Sequence, residues 1–436
     1  MSEGNNKRID EEIVQEKRVV KKKVKLKKNA IGIIILFVLL AILGTLIVCI
    51  FNHKAKIEEE KRITKLINNI NDHYSDKVKV NKDTKLYTLN NKKYIESGII
   101  SKDTVVNLDK VKIDENTKYF KITDTDYYID YDSVNPSKDN IIVNDRYKNY
   151  LLFNENVKTK NSVKLYKGDK VIYTLNKVLD LPIIKKDDNG YYVEYFKDLY
   201  LIKKEDVEST YSKNNTDAVE STSIPVTCNH FIYLEGDNTC NEMICHHENQ
   251  IKEEFKYLRD NNYFTLTTTE LREWMEGKIR LPEKSILITI DDGARAWNFI
   301  PLLEEYKVNA TLFLITGWYD LDRFQSPYME LASHTHDLHV GGKCPGGQGS
   351  GLKCLPKNVL LEDLKKSRDK LNGTEAFCYP FYEFNDYSTQ VIKEAGFKMA
   401  FIGGMKKVTK STDLYHIPRI SFNSTTTLNE YINWIK

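Results

Sequence analysis

Hydrophobic and polar positions alternate most cleanly in the second half of the chain, where SILITI (285–290) reads as a buried strand. The run stops on Asp291, Asp292 and Gly293. Two carboxylates therefore stand at a strand's carboxyl end, where α/β folds gather ligands and catalytic groups. Successive side chains of an extended chain point to opposite sides, so the two carboxylates can take different tasks. Around this strand the patterns of helix and strand alternate. EEFKYLRDNNYFTL (253–266) carries helical spacing, and TTTELREWMEG (267–277) begins a helix behind a threonine cap. FIPLLEEYKV (299–308) predicts a helix, ATLFLITG (310–317) a strand and AFCYPF (376–381) another strand. DYSTQVIKEAG (386–396) predicts a helix closed by Gly396, and FKMAFI (397–402) a further strand. Such alternation predicts a parallel α/β sheet or barrel.

The amino-terminal half is patterned differently. Residues 30–51 form 22 consecutive uncharged positions, apolar on every face. At about 1.5 Å per residue they reach across a hydrocarbon core of about 30 Å. Lys17, Arg18, Lys21, Lys22, Lys23, Lys25, Lys27 and Lys28 precede them. That basic cluster predicts a cytoplasmic tail over 1–29, with the remainder of the chain outside the cell. The apolar run is too long for a signal peptide and no small-x-small cleavage site follows it, so a single-pass signal anchor in the cell membrane is expected. Residues 52–75 are charged and periodic, which predicts a helical stalk. Two β-rich segments follow at 76–136 and 149–210, with short alternating strands between Asn, Asp and Gly turns. Lys85-Leu86-Tyr87 recurs as Lys164-Leu165-Tyr166. The pair resembles bacterial Src-homology-3-like repeats, small barrels that hold wall glycan or peptide or only lift the next domain off the membrane. Polar residues 208–223 predict a linker, and 222–436 the final domain.

Composition adds less. The chain of 436 residues has room for two or three domains, and a net charge of +3 points to no polyanionic partner such as nucleic acid. Of seven cysteines, Cys49 lies in the apolar run and the rest in the last half. Cys344 and Cys354 bracket a glycine-rich loop that a disulfide could close, and Cys240 and Cys245 could bridge a short turn. A four-cysteine zinc site is disfavoured because no C-x-x-C spacing occurs, while free buried thiols remain the other reading.

About forty residues past the aspartates comes LASHTHDLH (331–339), three histidines in six positions from a total of nine. Imidazole is the usual neutral nitrogen ligand of divalent metals. One carboxylate and two histidines form a three-ligand site that leaves room for water. TIDDG, then SHTHDLH, then CYPF leading into NDYSTQVIKEAGF resembles the polysaccharide deacetylases with a NodB homology domain (carbohydrate esterase family four). The resemblance spans about 224–436 and includes the lead-in LRDNNYFTLTTTELREWMEGKIRLPEKSILITIDDG.

The resemblance implies a deformed (β/α) barrel and a divalent metal, commonly zinc, with cobalt or nickel as alternatives. It implies Asp291 as general base and Asp292, His334 and His339 as metal ligands. The five-residue spacing to His339 is similar to poly-N-acetylglucosamine deacetylases, position 338 being leucine; His336 is the other choice. The backbone N–H of Tyr379 would hold the oxyanion. Two features depart from the family pattern. Phe377 stands where an arginine often braces the base, and no clean Leu-x-His motif supplies the acid. His416, in Leu414-Tyr415-His416, is the candidate acid, and Arg419 a partner for the base or the substrate. The implied activity is N-deacetylation of an N-acetylglucosamine polymer at the cell surface, either peptidoglycan or an exopolysaccharide. A catalytically inactive wall-polymer binder and an O-acetyl esterase are the competing classes. Oligomeric state is left open.

Overall fold

The computed structural model describes residues 3–72, 77–109, 119–139, 145–237 and 244–436. They group into two units, Met1–Glu96 with Ile100–Ile141, and Ser97–Ile99 with Ile142–Lys436.

In the first unit, helix α1 (Glu3–Asp72) runs through the basic cluster, the apolar run and the charged segment without a break. No proline interrupts it. Side chains of its apolar run lie exposed, and the helix is long and apolar enough to cross a membrane. Antiparallel strands follow. Lys77–Val80 lies between Val105–Asn107 and Val134–Pro136, and Tyr127–Asp130 between Thr84–Asn90 and Tyr119–Lys121. Their alternate residues Val78, Val80, Leu86, Phe120 and Ile129 form a small buried core.

The second unit opens with another antiparallel segment, in which Gly190–Tyr195 pairs with Asp198–Lys203 and Val163–Lys167 with Lys170–Leu175. The stretch expected as a linker is instead structured. Val207–Ser212 pairs with Glu155–Thr159, and Glu220 bridges Arg280 at 2.9 Å and Lys410 at 2.6 Å. An edge strand turns polar side chains to water, so its composition mimics that of a linker. The segment is docked by Arg146 and Tyr150, which bond Glu270 at 2.8 and 2.9 Å, and by backbone bonds from Leu151 to Arg280 and Lys186 to Lys278.

Seven parallel strands then close a barrel: β1 (Val226–Asn229), β2 (Ser285–Asp292), β3 (Ala310–Leu314), β4 (Met329–Ser333), β5 (Ala376–Cys378), β6 (Met399–Gly403) and β7 (Ile417–Ser421). Strands β2 to β7 are neighbours in chain order, and β1 pairs with both β7 and β2. Alternation decides which residues face where. Ile286, Ile288 and Ile290 pack outward against Phe255 and Leu258 of α2 (Glu248–Asp260) and Leu303 of α4 (Ile300–Tyr306). Leu287 instead joins Phe313, Ala332 and Phe401. Helix α3 (Thr268–Met275), held by a Thr267–Glu270 capping box, packs Leu271 and Trp274 against Ala376, Met399 and Ile417. Those three residues begin their strands, so α3 covers the barrel's amino-terminal end. Helices α5 (Lys357–Lys370), α6 (Asp386–Glu394) and α7 (Leu428–Ile435) complete the domain.

Several expected elements are shorter. Helix α2 stops at Asp260 rather than continuing to 266, since Asn262 adopts φ 56° and the chain then extends as strand Phe264–Thr265. β5 ends at Cys378 because Pro380 and left-handed Phe381 (φ 59°) turn the chain away.

Candidate active site

The period-two pattern of β2 carries the inward-facing set Leu287, Thr289, Asp291 to the barrel's carboxyl end. Asp291 is 1% exposed and Arg419 of β7 is 0% exposed. Their pairing is bidentate, with Nη1 donating to Oδ1 and Nη2 to Oδ2, both at 2.7 Å. Thr289 Oγ1 accepts from Nη1 at 3.0 Å. Burial by itself would raise the Asp291 pKa, but the charge and hydrogen bonds of Arg419 outweigh it and hold the carboxyl well below the usual range. Two neutral thiols complete this layer: Cys228 Sγ lies 3.7 Å and Cys378 Sγ 3.6 Å from Asp291 Oδ2. Burial pushes the Cys228 thiol up to about 12.

Asp292 faces the other way, at φ 73°. Gly293 follows in a conformation where a Cβ would meet the Leu314 and Tyr319 side chains at 2.6 and 2.7 Å, so only glycine fits. The Asp292 carboxylate lies 3.4 Å from His334 Nε2 and 3.3 Å from His339 Nε2. Ligand atoms of the three residues all fall within 4.8 Å of one another. His334 follows β4 directly, and its Nδ1–H donates to the Cys378 carbonyl at 2.8 Å. That bond turns the Nε2 lone pair toward Asp292, the arrangement a metal-ligating imidazole needs. His339 is pulled down to about 4, chiefly by burial, and is therefore neutral at physiological pH. The donor set fits a divalent cation: one carboxylate and two imidazoles, with Asp292 and His339 partly open to solvent.

The five-residue spacing has a packing reason. Leu338, four after His334, packs against the cluster of Leu352, Leu360 and Tyr379, so the next residue turns back to the site. His336 is placed elsewhere, with Nδ1 at 3.0 Å from Thr316 Oγ1 and Nε2 at 3.3 Å from Asp337.

Two expected roles do not fit the geometry. His416 precedes β7 at its amino end, whereas Arg419 lies further toward the carboxyl end. The His416 ring bonds Asp413 at 2.7 Å and Thr389 at 3.2 Å, beside Phe384. The Tyr379 N–H is not free for an oxyanion, since it donates to the Phe401 carbonyl at 3.1 Å. Phe377 is a buried core residue, and Asp291 takes its arginine from β7, one of the two partnerships expected for Arg419. The sequence reading missed His230, whose Nε2 comes within 3.9 Å of Asp291 Oδ2 just beyond β1. It also missed Cys228, Cys378 and Tyr382, whose hydroxyl contacts Cys228 Sγ at 3.2 Å. Among the cysteines, Cys344 and Cys354 are bonded as expected, Cys245 is disulfide-bonded, and Cys240 lies outside the described residues.

Residues 278–400, from the lead-in to β2 to the start of β6, match the polysaccharide deacetylase family. That segment is a polysaccharide deacetylase domain. The deacetylase domain is similar to the poly-beta-1,6-N-acetyl-D-glucosamine N-deacetylase of Staphylococcus aureus, 29% identical over 214 residues that make up 44% of this chain and 72% of the relative. It is also similar to the enzyme of the same name from Escherichia coli K12, at 24% over 234 residues, 42% of this chain and 34% of the relative. A solved de-N-acetylase from Aggregatibacter actinomycetemcomitans superposes with a TM-score of 0.43 at 22% identity, over 49% of this chain and 99% of that one. The deacetylase domain is thus an enzyme of the polysaccharide N-deacetylase family, with a candidate metal-binding group at the carboxyl end of its barrel.

Proposed function

We propose that this chain is a metal-dependent N-deacetylase of a β-linked N-acetylglucosamine polymer, anchored by α1 with its deacetylase domain outside the cell. The observation that carries the reading is the convergence of Asp292, His334 and His339 beside a buried, ionised Asp291. The names of the Staphylococcus and Escherichia relatives favour poly-β-1,6-N-acetylglucosamine over peptidoglycan as substrate.

Asp292, His334 and His339 would hold the cation, most simply zinc. When bound, such an ion supplies Lewis-acid polarisation of the acetyl carbonyl and a water of lowered pKa. Asp291, kept ionised by Arg419, accepts the proton of the attacking water. Among the described residues its Oδ1 takes one bond, from Nη1, so a second lone pair is open to that proton. His230 stands against the other carboxylate oxygen, where it can pass a proton to the departing amine. Burial lowers its affinity for protons, which makes the protonated ring a stronger donor. The amine leaves protonated and acetate is released. In this reading the acid is His230 in place of His416.

The test is acetate release from β-1,6-linked N-acetylglucosamine oligomers by the zinc-loaded full chain in detergent, with peptidoglycan and O-acetylated xylan as alternatives. Asp291→Asn and His230→Ala are expected to lose at least about 100-fold in kcat. Full activity in Asp291→Asn, or turnover of the ester substrate alone, overturns the proposal.

A further inference from the structure

Large apolar side chains exposed in the barrel domain are not scattered. Of eight among the described residues from 224 to 436, Val359 and Trp434 lie on helices α5 and α7. The other six are Leu234, Ile244, Trp318, Val340, Phe384 and Met405, all in segments that follow the carboxyl ends of strands. Of these, Trp318 and Val340 flank the segment of His339 at the mouth that holds Asp291 and Asp292, and an exposed apolar surface beside a polar centre marks a binding surface.

Trp318 is the largest of these and 49% exposed. Its ring centroid is 6.0 Å from that of His339, nearly edge-on at 76°. The loop carrying it is laced to the histidine segment: Thr316 N–H donates to the Thr335 carbonyl at 3.2 Å and Gly317 N–H to that of His336 at 2.9 Å. A Cβ at Gly317 would come within 2.0 Å of Asp337 Oδ1, so the close approach requires glycine. The indole is thus a flat apolar surface on a fixed backbone, half in water beside the metal ligands. A rigid aromatic gives contact area at small entropic cost. The C–H face of a pyranose is the apolar surface that fits it in a neutral, hydroxyl-rich polymer.

We propose that Trp318 is a sugar-stacking platform, binding an N-acetylhexosamine ring next to the residue being deacetylated. This rests on the N-deacetylase reading above and adds a subsite to it.

Full chain in detergent, loaded with zinc, is assayed on a β-1,6-linked N-acetylglucosamine hexamer and on 4-methylumbelliferyl acetate, which has no pyranose. Trp318→Ala is expected to raise KM for the hexamer about tenfold with kcat changed less than about threefold. Its loss in kcat/KM on the aryl acetate is expected to be at least about fivefold smaller, and Trp318→Phe to recover most of the hexamer KM. An unchanged hexamer KM in Trp318→Ala, or equal losses on the two substrates, overturns the platform while leaving the N-deacetylase reading in place. Wild-type protein that cleaves the aryl acetate but not the hexamer overturns the N-deacetylase reading itself.

Discussion

Replacing Arg419 by methionine keeps an apolar stem and removes the charged guanidinium, which tests the electrostatic role of that group. In the native barrel Asp291 is 1% exposed and takes two 2.7 Å bonds from Arg419. At an effective dielectric of about 20, opposite charges about 4 Å apart attract by about 4 kcal/mol. Removing one partner of a buried pair forfeits that attraction while the other still bears its desolvation, for a typical loss of 3–5 kcal/mol. For a domain of this size about 2–4 °C accompanies each kcal/mol, so R419M is expected to lower the barrel's melting point by roughly 6–20 °C. The assay is thermal unfolding followed by near-ultraviolet circular dichroism, with D291N and the double variant D291N/R419M alongside. Without a buried charge the double variant is expected to lie within about 2 kcal/mol of wild type, closer than R419M. An R419M loss below about 1 kcal/mol, or strict additivity of the two single changes, refutes the reasoning.

His339→Leu is expected to weaken zinc binding by at least about 100-fold, whereas His336→Ala, whose ring bonds Thr316 instead, should bind zinc as wild type does; equilibrium dialysis with elemental analysis checks both. Glu383 is set at about 2 against an ordinary 4.5: burial pushes it up, but bonds from Lys353 at 2.9 Å, from the Ser350 amide at 2.8 Å and from the Gln348 amide outweigh it. A lowered carboxyl pKa stabilises the fold above the unfolded value and loses that contribution as pH falls through the folded one. The melting difference between wild type and Glu383→Gln should therefore be constant above about pH 5 and vanish toward pH 2. A difference that instead grows on acidification would count against the assignment. The Cys344–Cys354 bond closes a sequence separation of 10, worth about 2–3 kcal/mol in chain entropy, and C344S/C354S should lose that much in denaturant unfolding.

Local pattern carried much of the architecture. The alternation of 285–290, the cap at Thr267, the glycine after α6 and the strand–helix alternation are encoded within a few residues of where they act. So is the nearness of His334 and His339, which share one short segment; their grouping with Asp292 as a ligand set came from the family resemblance. What escaped local reading depends on partners far apart in the chain. The sequence left Arg419 between the base and the substrate, and it reaches Asp291 across 128 positions because β7 and β2 both flank β1 in the closed barrel. Composition could not distinguish the edge strand Val207–Ser212 from a linker, since both are polar and only pairing with Glu155–Thr159 separates them.

Periodicity and chain punctuation, by themselves, determined that a strand would deliver two carboxylates to one end of a parallel α/β sheet or barrel, and that an apolar helix would precede it. Tertiary structure alone decided which imidazole faces Asp291. His416 and His230 are equally plain in the sequence, but parallel register sets the first at the start of β7 and the second past the end of β1. A motif specifies residue types in a short window. Proximity between windows is set by barrel closure, where burial and hydrogen bonding choose among residues that a linear reading ranks alike.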